Sequence, residues 1–273
     1  MLTETRRPHD HGLFGPGSAA WRLHSEPALL IGGLRALIYQ ALHPLAIAAI
    51  VRHSDYKKDV WGRFSRTSNY VMTTVFGATS DAEGLGRRVR EIHRTIRGID
   101  EVTGLPYSAD DPVLLLWIHT TLVESFLLSY LRFVGRLTTA EQDAYVAEMV
   151  RQAELVGLHA DDVPATVAAN SAFVESCQPI LQVTQAARDA LETVLRPPLP
   201  PHRRPGWWVA GRAAISLLPD HALELYGIRK LPVVDAVVRP VVAGGSRLAA
   251  RFLAPPPVLA EARAKALAVG KRL

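Results

Sequence analysis

Arginine, threonine and histidine carry most of the chemistry in this chain of 273 residues. In "WGRFSRTSNYVMTTVFG", residues 61–77, Arg63 and Thr67 stand four apart and share one face of a helix, with Arg66 beside them. Two guanidinium groups at the edge of an apolar segment suit the acid groups of an otherwise apolar ligand. Three histidines also fall inside helical patterns. They are His43 in "YQALHPLAIAAI", His93 in "RRVREIHRTIRG" and His119 in "LLLWIHTTLVES", the most apolar stretch of the chain. A buried neutral imidazole either has both nitrogens partnered by the protein or ligates a metal. Both outcomes stay open for each of the three.

The metal chemistries can be sorted by spacing. A diiron bundle needs Glu-x-x-His on two helices, and the chain contains no such pair. Zinc is poorly supported, with no His-Glu-x-x-His and no cysteine pair; the absence of Cys-x-x-Cys-His removes covalent haem. Non-covalent haem asks for less: one axial side chain, an apolar slot, and cations for the propionates. Helices bearing buried histidines, with a third bearing Arg63 and Arg66, would supply those parts. Cys177 is the single cysteine, so no internal disulfide forms. A thiolate ligand is conceivable there, but without a glycine-rich loop the residue reads as a small buried thiol.

The elements that would position these groups are helical almost throughout. Pro27 opens one helix that Pro44 breaks; a second runs from about Tyr56 to Gly77. "SDAE" from Ser80 reads as a capping box for a helix closed by Gly98, and "TTAE" from Thr138 as another, stopped at Gly157. Asp111 and Pro112 start a helix ended by Gly135, Pro164 starts one reaching toward Cys177, and "TQAARDALETVL" makes one more. Strand signals are nearly absent: the β-branched run 233–242 alternates poorly and is cut by Pro240. The fold class is therefore all-α, a single multi-helix orthogonal bundle with a buried cofactor pocket. Residues 1–26 read as an N-terminal extension and 27–196 as the core. Residues 197–273 read as a Pro-rich connection followed by C-terminal helices packed on that core.

Apolar residues make up 48% of the chain, which excludes wholesale disorder. The net charge is +5, with arginines and lysines dispersed, so nucleic acid is not an expected partner. The apolar windows 29–51 and 113–134 contain Arg35, His43, His119, Glu124 and Arg132, and read as buried core helices rather than membrane spans. "MLTETRRPHDHG" lacks the apolar core of a signal peptide, and a cytoplasmic location is expected, with membrane association open. Trp207–Trp208 packs the tail or anchors it at a lipid surface. Tyr107 fixes a loop or closes an entrance, and Glu124 is a buried ion-pair partner or an acid near a cofactor.

Taken in order, "LRALIYQALHP", "HSDY", "RFSRTSNYVMTTVFG", "IHRTIRG", "YSADDPVLLLWIHTTLVES" and "LLP" followed by "LYG" span about 29–227. Together they resemble the family of rubber oxygenases (latex-clearing proteins) and the fungal oxygenase MpaB. The resemblance implies an all-helical domain, b-type haem and dioxygen chemistry on an apolar, isoprenoid or lipid-like substrate, with an electron donor of unknown identity. The family's R-x-x-K-T pattern falls on Arg63, Arg66 and Thr67, and its axial histidine on His93. His119 is the next histidine along and a possible second ligand. Arg63 and Thr67 would then face the haem edge. Arginine in place of lysine at position 66 removes a side chain able to ligate iron, leaving water, dioxygen, His119 or His43 for the distal side. Without the resemblance, Arg63 and Arg66 would pair with Asp55, Asp59 or glutamates, and Thr67 would bond its own turn. Two further readings therefore stand beside an oxygenase: a haem- or lipid-binding protein without turnover, and a helical bundle at the membrane surface.

Overall fold

The computed structural model describes residues 10–54 and 58–270; Asp55, Tyr56 and the first nine residues lie outside them. Thirteen α-helices supply nearly all the regular structure among the described residues. The first, α1 (Ala19–His24), is started by the Ser18 hydroxyl, which accepts from the Trp21 amide at 3.0 Å. Helices α2 (Leu29–Gln40) and α3 (Pro44–His53) meet at 103°, because Pro44 has no amide to continue the ladder and its ring stops the helix before it. Next come α4 (Val60–Phe76) and α5 (Thr79–Thr95), a hairpin turning at Gly77.

The expected capping box at Ser80 is not the start of α5. The helix begins two residues earlier, with Ala78 at the N-cap, and its leading groups are held from far away in sequence: Thr79 donates its amide and its hydroxyl to Asp10. A short antiparallel pair follows, β1 (Arg97–Ile99) and β2 (Pro106–Ser108), with Gly98 opposite Tyr107. Any Cβ at Gly98 would sit 2.5 Å from the Tyr107 hydroxyl, so glycine leaves the space that the tyrosine occupies.

Helix α6 (Pro112–Phe133) starts as expected, Asp111 accepting from the Val113 and Leu114 amides. The Thr138–Glu141 capping box forms in full at α7 (Thr139–Val156), which ends at Gly157 in the left-handed conformation. The chain continues through α8 (Val167–Ser176), α9 (Gln185–Leu195), α10 (Arg204–Ile215), α11 (Asp220–Tyr226), α12 (Pro232–Phe252) and α13 (Pro257–Gly270). Pro240 does not cut α12. It and Ala236 both face solvent, where the carbonyl that loses its partner can be hydrated.

Helix α6 is long and apolar enough to cross a membrane, and so by composition is the bent α2–α3 pair. In the fold α6 is the central core helix, with 67% of its apolar window buried in the protein. Its first half joins a cluster with Ile38, Tyr39, Leu42 and Ala214; its second half joins another with Leu23, Val75, Tyr145 and Met149. The contact between α2 and α6 is tight. A Cβ on Gly32 would lie 2.7 Å from the Ser125 carbonyl oxygen and 3.0 Å from the Phe126 Cα. One turn on, Arg35 is fully buried and spans the junction: Nη2 reaches Glu124 at 2.7 Å, Nη1 donates to the Ser125 hydroxyl, and Nε donates to the Leu217 carbonyl. Glu124 is therefore an ion-pair partner. Each of the three guanidinium nitrogens has an acceptor and the charge has a carboxylate partner, the condition under which a buried charge is tolerated.

Candidate functional site

Where α2, α4 and α6 diverge, the interior opens into a cavity of about 540 Å³. This lies within the roughly 300–1,000 Å³ typical of sites for cofactors and drug-sized ligands. Its walls follow helical periodicity: Ile118, Leu122 and Phe126 on α6, Leu30, Leu34 and Leu37 on α2, and Phe64, Val71 and Met72 on α4. Trp207 from α10, Leu253 from the end of α12, and Leu259 from α13 complete it. The surface is overwhelmingly apolar, with few polar side chains on it.

Of the residues singled out in the sequence, Arg63 and Thr67 line this cavity from successive turns of one α4 face. Arg66 does not. It points to solvent and bonds Asp59 at 3.1 Å, a partner the sequence allowed for. His93 sits in the last turn of α5, half-buried and outside the cavity wall; burial lowers its imidazole below the ordinary value, and Asp110 opposes the shift. His43 holds the N-cap position of α3 with its ring 5.9 Å from that of Trp117, and burial lowers it too. His119 is buried but does not line the cavity, and its imidazole is pushed down to about 4 by burial. Cys177 is a buried free thiol that burial pushes up.

A histidine that sequence reasoning passed over does line the cavity. His24, at the end of α1, is buried, and its Nε2 lies 3.1 Å from the Tyr145 hydroxyl while its ring meets Phe126 edge-on at 5.0 Å. Burial pushes its imidazole down to about 3. The sequence did hold a signal: the Ser18 cap, then Trp21 and His24 three apart, in a segment read as an extension.

The buried polar atoms offer a test of fit for haem. Among the described residues, the Nδ1 atoms of His24, His43 and His93 are buried and have no hydrogen-bond partner. Leaving such an atom unmatched costs about 1–3 kcal/mol, and a ligand on it would remove that cost. Among the same residues, no three His, Cys, Asp or Glu side chains gather closely enough to hold a metal ion. Of what haem needs, the apolar slot and guanidinium groups (Arg63, and Arg263 of α13) stand on the wall, and His24 is the one of these three histidines that lines it.

Fold and site thus define an all-α protein built around a large apolar chamber with cationic groups on its wall. A family profile described as "ER-bound oxygenase mpaB/B'/Rubber oxygenase, catalytic domain" matches residues 21–254, and the chain belongs to that family of oxygenase catalytic domains. Among solved structures, that of latex clearing protein LCP in the closed state is similar with a TM-score of 0.63. The identity is 15%, over 91% of this chain and 73% of that one, so the likeness speaks to the fold. No curated protein matches in sequence.

Proposed function

We propose that the chain is a haem-b-dependent oxygenase acting with dioxygen on a small apolar substrate, isoprenoid or lipid-like. The observation that carries this is the mainly apolar cavity of about 540 Å³, which Arg63 and Thr67 enter from one α4 face, in a chain of an oxygenase family. Haem, when bound, supplies a redox-active iron at which dioxygen reacts. The chain's own groups do the rest. The Arg63 guanidinium would pair with a propionate, and the Thr67 hydroxyl would donate to the same end. Leu122 and Phe126 exclude water and hold the apolar substrate. His24, on the wall itself, would be the histidine placed to hold the iron; His93, onto which the family pattern carries that role, lies outside the cavity wall and would have to move to reach it.

The test is the visible spectrum of protein expressed with haem supplied. A Soret band that shifts or is lost in His93→Ala, and not in His119→Ala or His24→Ala, assigns the axial ligand to His93. Loss in His24→Ala alone assigns it to His24. A colourless protein that takes up no added hemin overturns the proposal.

A second reading is haem binding without turnover, favoured by one feature: Arg66, in the family's lysine position, bonds Asp59 at the surface instead of entering the cavity. A six-coordinate ferrous spectrum unaffected by carbon monoxide would select this reading; a spectrum that responds to the gas selects the oxygenase.

A further inference from the structure

Helix α12 presents a face that nothing among the described residues covers. Val233, Val237, Val241, Leu248 and Phe252 recur at helical spacing along one side, and each is exposed, Val233 by 80% and Phe252 by 71%. The opposite side, with Val238 and Ser246 buried, packs on α10 and α6. A stripe of large apolar side chains running the length of a surface helix marks an interaction surface.

Its charges indicate the occupant. Arg239, Arg247 and Arg251 are exposed on α12, the Arg251 guanidinium lying 5.7 Å from the Phe252 ring centre. The helix's one acid, Asp235, is turned inward onto Arg212 at 2.8 Å. The dispersed charge read along the chain conceals an imbalance. From residue 197 onward there are twelve Arg and Lys against four Asp and Glu; up to residue 196 there are nineteen against twenty-two. A second copy of the same face would set arginine against arginine, and nucleic acid would leave the valines in water. An anionic bilayer satisfies both features.

We infer that α12 lies in the surface of an anionic lipid membrane, its exposed valines, Leu248 and Phe252 among the acyl chains and Arg247 and Arg251, which flank that stripe, at the headgroups. Trp208, 59% exposed on the adjoining α10, adds an interfacial side chain. The end of α12 also forms cavity wall: Ala249, Ala250 and Leu253 line it, and Leu253 is at once exposed and lining. The docked helix therefore leads from the bilayer to the chamber, a route for a membrane-dissolved substrate. That route rests on the proposed function; the docking does not.

Co-sedimentation of the full chain with phosphatidylcholine vesicles, with and without phosphatidylglycerol, tests the inference. Expected is binding to the phosphatidylglycerol vesicles at low salt that weakens as salt rises. Val237→Glu with Leu248→Glu lowers the affinity by about tenfold or more, with circular dichroism and the Soret band of hemin-loaded protein unchanged. The milder pair Val237→Ser and Leu248→Ser does the same in part if the glutamates impair folding. Arg247→Ser with Arg251→Ser removes the preference for phosphatidylglycerol. Folded protein that stays in the supernatant with anionic vesicles at low salt overturns the inference. So does a lipid-free dimer that the same variants convert to monomer, which would make the face an interface between copies.

Discussion

Burial sets the protonation of the internal histidines, and that makes stability a function of pH. The imidazoles of His24 and His119 are pushed down to about 3 and about 4, while in an unfolded chain each titrates near 6.5. Above that value neither state holds the proton and the full stability is present. As the pH falls below it, the unfolded chain gains protons that the folded chain refuses, and stability declines until the folded values are reached. Each histidine contributes a slope approaching roughly 1.4 kcal/mol per pH unit in that window. Urea unfolding between about pH 7 and pH 5 is expected to show this loss, and His119→Gln to remove about half of the slope due to the pair. A stability that is level across the window contradicts the assignment. Arg63 and Thr67 were legible in sequence because their spacing alone puts them on one helix face. His24 was not, since α1 has only six residues and the burial comes from Phe126 and Tyr145, over a hundred residues away.

Helix α2 is held against α6 by a missing side chain. The atoms a Cβ on Gly32 would meet include the Ser125 carbonyl oxygen and the Phe126 Cα, which cannot swing aside, whereas at Gly33 the nearest is a Phe126 ring atom at 3.9 Å. Gly32→Ala is thus expected to cost about 1–3 kcal/mol in urea unfolding, in spite of alanine's advantage within a helix. Part of that cost arises because separating the helices loosens the Arg35 bonds to Ser125 and Glu124. Gly33→Ala is the control, expected to be neutral or slightly stabilising; equal effects at the two positions would refute the packing argument. Signals local to an element were readable, among them the Thr138–Glu141 box, Asp111 and Pro112 at α6, and the Gly157 stop. Where the deciding group came from elsewhere, reading failed. Asp10 starts α5 in place of the expected box, and α12 passes Pro240 because that side of it faces solvent. The strands of three residues were too short to show alternation.

At the scale of the molecule, α6 links two apolar clusters, and the chamber opens on the side where α2 and α4 part from it. The all-helical architecture could be read from periodicity and punctuation. A buried pocket was expected, but its wall could not be read, because it draws on α1, α2, α3, α4, α6, α9, α10, α12 and α13, and no stretch of sequence records which faces meet. One part of that wall has an optical consequence. Trp61 of α4 and Trp207 of α10 stand edge to face at 5.4 Å, both lining the chamber, while Trp117 is fully enclosed and Trp208 faces solvent. Indole fluorescence moves to shorter wavelength when water is excluded from around the ring, so a transparent apolar guest should produce a blue shift carried by these two residues. Trp61→Phe with Trp207→Phe would abolish it, and a shift that persists would locate the guest elsewhere. The molecule carries its own gauge of occupancy, one that responds before any colour or turnover is sought.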